Sequence, residues 1–175
     1  LLELRTEVRE QQKAVESEIR EYTRQEKEIR EELRQLRQGK KAYPKELEEA
    51  RDYIRKGLKE QNGRYIPVEI LADLLEIRDD TWRNAVEGYL GSNKLLLLVE
   101  PKFTRAAIEL YQELDKKKYY RVAVLDTEKV MAASSKAQEG ALAEEVLTDV
   151  PYARAYIDFI LGNVIKCETI EELRE

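Results

Sequence analysis

The stretch that decides the fold is residues 80–99, DTWRNAVEGYLGSNKLLLLV. Asp80 and Thr81 are typical helix caps, and apolar residues follow at helical spacing until Gly91, which suits a helix C-terminus. Residues 95–99 then form a continuous apolar run between polar boundaries, which is typical of a strand buried on both faces, as in parallel sheets. This stretch therefore predicts a helix followed directly by a buried strand.

The same alternation continues on the C-terminal side. Residues 102–114 and 151–161 have helical apolar spacing, residues 120–125 and 164–167 are typical of strands, and residues 128–139 are typical of a loop. We therefore predict an α/β fold over residues 63–168, with a small, mostly parallel sheet and flanking helices. Thr169 and Glu172 form a capping box that predicts a further helix over residues 169–175.

Residues 1–62 differ in composition and predict a coiled-coil arm. Apolar residues occupy every seventh position of the first part, and a weaker second row accompanies them. The full row consists of Leu1, Val8, Val15, Tyr22, Ile29 and Leu36. A seven-residue repeat keeps one seam of a helix against a partner helix. Gly39 and Pro44 predict a break near residues 38–44, followed by a helix to about residue 61.

Composition excludes several kinds of chemistry. The 175 residues include no histidine, so neither a histidine general base nor a histidine metal ligand exists. The single cysteine, Cys167, cannot form a disulfide within the chain, which favours a reducing compartment. The net charge is −5, and no apolar run reaches the roughly 18 residues of a membrane span. We therefore expect no association with a membrane.

Several of these stretches together resemble the hinge of an SMC-type ATPase. They are residues 74–77 (LLEI), 82–91 (WRNAVEGYLG), 95–99 (LLLLV), 147–149 (LTD), 161–164 (LGNV) and 169–173 (TIEEL). The resemblance covers roughly residues 67–175, with the arm as the incoming coiled coil and residues 169–175 as the start of the returning one. The α/β region, residues 63–168 (the head), is short and looks like one half-hinge unit. This points to the MukB-like branch, including MksB and Wadjet-type SMC subunits.

The resemblance implies a structural role rather than an enzymatic one. It implies a homodimerisation hinge that joins two long arms, with no cofactor of its own and with the ATPase site of a parent protein outside these residues. It also implies kleisin-type and accessory partners, a cytoplasmic, nucleoid-associated location, and a parent that acts in chromosome organisation or plasmid defence. We predict the dimer interface at the two helix ends, namely at Leu90, Gly91, Ile160, Leu161, Gly162 and Val164.

Two alternatives remain open at the level of sequence. A DNA-binding module would use two basic clusters that lie beside tyrosines, namely Lys40, Lys41, Lys116, Lys117, Lys118 and Arg121. The alternative for the last four is a solvated helix end. A Toprim-like, Mg²⁺-dependent nucleic-acid enzyme would use the carboxylates Glu100, Asp126 and Glu128, which follow two predicted strands. The alternative is that these carboxylates cap helices and solvate loops.

Overall fold

The computed structural model describes residues 1–37, 43–169 and 172, which fall into two units, Leu1–Tyr43 and Pro44–Glu175. The first unit contains α1 (Leu2–Arg37). The elements of the second unit, in chain order, are α2 (Lys45–Asn62), β1 (Glu69–Ile70), β2 (Glu76–Ile77), α3 (Arg83–Leu90), β3 (Leu97–Leu98), α4 (Thr104–Gln112), α5 (Thr127–Ala132), β4 (Val146–Leu147) and α6 (Pro151–Leu161).

The predicted long N-terminal helix is confirmed as α1. Its surface carries ion pairs at helical spacing, such as Arg30 with Glu26 at 2.6 Å. The first five residues of the apolar row, Leu1 to Ile29, are exposed in the single chain, with Val15 at 53% and Ile29 at 56%. The centre of the predicted break, including Gly39, lies outside the described residues.

Helix α2 packs into the second unit through its apolar face. The carbonyl of Pro44 accepts the first backbone hydrogen bonds of the helix, and Gly63 ends it with a φ of 65°. The buried face consists of Leu47, Ala50, Ile54 and Leu58. Gly57 allows close approach to α4, since a Cβ at this position would lie 2.4 Å from Cδ2 of Leu110. Helix α2, which was predicted as part of the arm, lies in the second compact unit, which begins at Pro44.

The prediction of a mostly parallel sheet is wrong, because the strands form two antiparallel pairs. In the first, Ile70 of β1 faces Leu97 of β3, and in the second, Ile77 of β2 faces Val146 of β4. A parallel bridge joins Leu97 to Val124. Turns of 3₁₀ helix lie before and after β3, at Gly91–Leu95 and Pro101–Phe103, and both residues of β3 are completely buried. The buried strand β3 therefore lies between one antiparallel neighbour, β1, and one parallel neighbour at Val124.

Two further predicted strands are reduced to single bridges, and one predicted loop contains a helix. Residues 120–125 contribute only the bridge at Val124, and residues 164–167 contribute the bridge between Ile165 and Ala141. Helix α5 lies where a loop was expected. Its N-terminus is capped by Asp126, whose Oδ1 accepts the backbone N–H of Lys129 at 3.0 Å.

Among the described residues, two apolar clusters of the second unit include residues of α6. The first contains Val86, Leu90, Ala141, Leu142, Ala143, Val146, Ile157 and Leu161. The second contains Leu71, Leu98, Ala153 and Tyr156. Successive turns of α6 thus join the two clusters. Among the described residues, no helix combines the length and the apolar character that a membrane crossing requires.

Candidate functional site

The six residues of the predicted dimer interface differ in exposure. Leu90 and Leu161 are buried in the same core cluster of the protomer. Gly162 is also buried, and a Cβ there would lie 2.0 Å from the carbonyl oxygen of Asp158. Ile160 and Val164 are half-buried against this cluster. Gly91 is exposed and has a φ of 51°, which favours glycine.

The outgoing segment, residues 163–168, leads from α6 towards Thr169 and forms one edge of the fold. The N–H of Leu142 donates to the carbonyl of Val164 at 2.6 Å, and the N–H of Lys166 donates to the carbonyl of Gly140 at 3.0 Å. Neighbouring residues of an extended chain point their backbone groups to opposite sides, so the N–H and carbonyl of Ile165 point away from this pairing. The Ile165 side chain is 49% exposed.

The outgoing segment also carries a buried ion pair that the sequence analysis missed. Nζ of Lys166 lies 2.6 Å from Oε1 of Glu145, and the Glu145 side chain is only 9% exposed. The hydrogen bond with Glu145 raises the pKa of Lys166 above its usual range. The sequence signal was a lysine inside an otherwise apolar run, residues 164–167, which was interpreted only as a strand.

The lysines of the predicted basic cluster differ in their surroundings: two are exposed to solvent and one forms an ion pair. Lys116 and Lys117 are exposed, whereas Nζ of Lys118 lies 2.7 Å from Oε2 of Glu49 on α2. The hydroxyl of Tyr119 donates to the same Glu49 oxygen at 2.9 Å. Both hydrogen bonds lower the pKa of Glu49, and the one from Lys118 has the larger effect. The predicted residues Lys40 and Lys41 lie outside the described residues.

A cleft of about 700 Å³ adjoins this cluster. Its lining combines two cations with an apolar floor and consists of Pro44, Glu46, Leu47, Ser92, Leu95, Lys118, Tyr120, Arg121 and Val122. The Arg121 guanidinium lies 5.2 Å from the centre of the Tyr120 ring, and Tyr120 is 68% exposed. The cleft thus places an exposed aromatic ring and two cations, of which Lys118 is paired with Glu49, beside the N-terminus of α2.

The three carboxylates of the Toprim-like alternative have separate local contacts. Glu100 pairs with Lys102 at 3.2 Å, and Glu128 pairs with Arg105 at 3.1 Å. Asp126 accepts the capping N–H of α5. Over residues 1–37, 43–169 and 172, no group of three acidic or cysteine side chains is arranged to hold a metal ion.

The start of the predicted returning helix has the hydrogen bonds of a capping box. The N–H of Glu172 donates to Oγ1 of Thr169 at 3.3 Å, and Oε2 of Glu172 accepts the N–H of Glu168 at 2.8 Å. In a standard box the carboxylate reaches the N–H of the capping residue, whereas here it reaches the preceding one. The remainder of residues 169–175 lies outside the described part of the chain.

Comparison with known structures shows a fold shared with SMC hinge domains. The hinge domain of Geobacillus stearothermophilus SMC, crystallised as an asymmetric dimer, matches with a TM-score of 0.56 and 18% identity, over 94% of this chain and 67% of that chain. The Pyrococcus furiosus SMC hinge domain matches at 0.48 and 21%, over 74% and 73%. Its form with an extended coiled coil matches at 0.49 and 22%, over 91% and 58%. No curated protein matches the chain.

The sequence itself also matches a family profile. The profile of the SMC proteins Flexible Hinge Domain covers residues 66–175, which is more than half of the chain. Hinge domains of this kind are structural and non-catalytic. The chain therefore belongs to the family of SMC flexible hinge domains.

Proposed function

We propose that this chain is the homodimerisation hinge of an SMC-like protein and joins two long coiled-coil arms. The observation that carries the proposal is the family match over residues 66–175. The similar Geobacillus stearothermophilus hinge was crystallised as a dimer, which supports self-association here. The exposed apolar row of α1 supports the arm, because such a seam is stable only against a second helix.

The proposed dimer interface lies on the accessible part of the predicted set and on the neighbouring edge. Leu90 and Leu161 support it from within the core, while Gly91, Val164 and the adjacent Ile165 offer contact surface. An open edge with an exposed apolar side chain favours pairing with another strand. In a two-fold dimer this strand is the same edge of a second copy.

The molar mass of the full chain in solution, measured by light scattering, tests this proposal. We expect twice the 20.5 kDa of one chain. The variant Ile165→Asp should return the mass to that of a monomer, because a charge in the paired edge would be desolvated. Phe159→Asp is the matched control, since Phe159 is also exposed, at 64%, but lies on α6.

A second pair of variants separates the head from the arm. Val15→Asp places a charge in the α1 seam, and Ser17→Asp places the same charge two residues away, off the seam. We expect both variants to stay dimeric. Loss of the dimer in Val15→Asp alone, with Ile165→Asp unaffected, would show that the arm associates and the head does not. Monomers in the unmodified chain would contradict the dimerisation hinge.

We propose DNA binding as a second function of the chain, through the basic cluster of residues 116–121. Lys116, Lys117 and Arg121 are exposed within six residues, and the Arg121 side chain stacks on an exposed tyrosine. Fluorescence anisotropy with a labelled oligonucleotide should show an affinity that falls with salt. Lys116→Gln with Lys117→Gln should reduce the salt slope by about two, while Lys94→Gln should leave it unchanged. Equal slopes in all variants would remove these lysines from any contact.

The parent protein is proposed on the resemblance alone. We propose a MukB-like SMC protein whose ATPase site lies outside these residues. It would act in the cytoplasm on the nucleoid or in plasmid defence, with kleisin-type and accessory subunits. Measurement of the rate of ATP hydrolysis by the full-length parent, with and without DNA, tests this assignment. A parent without any ATPase activity would contradict it.

A further inference from the structure

The outgoing segment is held with little apolar packing. Ile165 is 49% exposed, and Val164 and Cys167 are only half-buried. Apolar burial of the segment is therefore incomplete, most of all at Ile165, and it provides only part of the free energy of full burial. Polar contacts therefore also contribute to holding residues 163–168 in place.

Among the described residues, several hydrogen bonds add to the packing of the segment. Two backbone hydrogen bonds pair Leu142 with Val164 and Lys166 with Gly140. At the start of the segment, the amide of Gln138 donates from Nε2 to Oδ1 of Asn163 at 3.1 Å. Each such bond stabilises a folded protein by only about 1 kcal/mol, because water competes for the same groups.

The ion pair between Lys166 and Glu145 differs from these contacts because it is buried. Glu145 is a carboxylate with 9% of its side chain exposed, and Lys166 has 18% exposed. Glu144 adds a second acidic contact at 3.7 Å, and Nζ of Lys166 lies 5.7 Å from the centre of the Trp82 ring. Among the described residues, Oε2 of Glu145 has no hydrogen-bond partner, so Lys166 is the cation on which this carboxylate depends.

Detachment of the segment and loss of this ion pair are therefore the same event. If residues 163–168 lift away, Lys166 leaves with them, and Glu145 stays behind on the 3₁₀ turn Leu142–Glu145. A buried charge without its partner is strongly unfavourable. With the ion pair intact, the segment stays attached despite its exposed side chains.

We propose that residues 163–168 are a releasable strap, and that the Lys166–Glu145 ion pair is the contact that keeps the strap closed. Release of the strap frees the backbone that leads to Thr169 without unfolding α2 or the apolar clusters. The inference concerns one protomer and goes beyond dimerisation. A partner that offers an acidic group to Lys166, or a cation to Glu145, would open the strap by exchange of ion-pair partners.

Hydrogen exchange of the full chain tests the proposal at named amides. The N–H groups of Lys166 and Leu142 report on the strap, and the N–H of Leu71, bonded to Leu96, reports on the core. In Lys166→Met we expect exchange of the strap amides to rise at least about tenfold, with Leu71 unchanged. Lys94→Met is the control, because Lys94 is an exposed lysine.

The single cysteine gives an independent measurement. Cys167 is half-buried in the strap, and a maleimide should label it at least about tenfold faster in Lys166→Met. Loss of a neighbouring cation favours the thiol over the reactive thiolate, so faster labelling would result from opening rather than from electrostatics.

Two further variants keep the proposal open to contradiction. Glu145→Leu with Lys166→Met leaves no charge buried, so its strap amides should be protected better than those of Lys166→Met alone. Additive effects of the two changes would overturn the proposal, as would equal acceleration of the Leu71 amide. If Lys166→Met does not fold, Glu145→Gln retains an acceptor for Lys166 and should give a smaller, local acceleration. Unchanged strap exchange in folded Glu145→Gln would then overturn the proposal.

Discussion

The incoming helix α2 and the outgoing segment connect the same compact unit to its surroundings in opposite ways. Helix α2 buries four apolar side chains completely or nearly so, and Gly57 brings it into direct contact with α4. The outgoing segment exposes half of Ile165 and depends on the ion pair of Lys166. One connection is fixed by packing and the other by charge.

This difference predicts how each connection responds to change. Apolar packing is lost gradually with the surface removed from it, and no single contact decides it. The ion pair of Lys166 with Glu145 instead depends on one contact, and removal of either partner leaves a largely shielded charge unpaired. Helix α2 should therefore behave as part of the core, and the outgoing segment as a switchable element.

The largest effect is expected from Leu58→Ala on the incoming helix. Leu58 is completely buried, so its truncation should lower the free energy of unfolding by about 3 kcal/mol. Urea unfolding followed by circular dichroism measures it. Lys56→Ala, at an exposed position of the same helix, should change stability by less than about 0.5 kcal/mol. Similar effects of both variants would show that α2 is not part of the core.

A smaller effect is expected from Gly57→Ala. The added methyl group would lie 2.4 Å from Cδ2 of Leu110, and crowding of this kind costs about 1–3 kcal/mol. Alanine in place of glycine regains about 1 kcal/mol of helix propensity, so the net loss should be about 1 kcal/mol. In a Leu110→Ala background the same change should stabilise, because the crowding is gone. Urea unfolding of the four proteins measures both, and a loss that persists without Leu110 would contradict the close approach.

Helices were predictable here because their signals are local. The apolar spacing of residues 82–90 and Gly91 predicted α3, whereas Asp79, rather than the predicted Asp80 or Thr81, caps the 3₁₀ turn that precedes it. Gly91 and Gly63 have the positive φ values that helix ends require. The family resemblance rested on the same local motifs. Asp126 shows the limit of this approach, since it was considered as a metal ligand and instead caps α5.

Strand direction and pairing were not predictable, because they depend on contacts between distant residues. Of the predicted buried run, residues 97–99 are buried, but the neighbouring Glu69 and Ile70 run antiparallel to it. The ion pair of Lys166 with Glu145 joins residues 21 positions apart, and no local pattern indicates that distance. The placement of Leu90 and Leu161 in the protomer core likewise required the tertiary structure.

The polar contacts of the incoming helix should matter less than its packing. Glu49 accepts from Lys118 and Tyr119, which keeps its pKa below the usual value of 4.5. A lowered pKa stabilises the fold above pH 4.5, and the contribution is lost as the pH falls through the folded-state value. Glu49→Gln should therefore be slightly less stable at neutral pH, and the difference should shrink below pH 4.5. Thermal unfolding across this range measures it, and a constant difference would exclude titration of Glu49 as its cause.

The smallest effect is expected at Ile165, and it sharpens the contrast most directly. Ile165→Thr alters a side chain that is already 49% exposed, so stability should change by less than about 0.5 kcal/mol. Ile54→Thr makes the same substitution at a completely buried site on α2, where an unpaired hydroxyl and a lost methylene together cost about 2–3 kcal/mol. Both unfolding curves must be recorded at concentrations where light scattering shows a monomer, because a dimer that uses Ile165 would add its own stability. A monomer destabilised equally by both substitutions would mean that the outgoing segment is held by apolar packing after all.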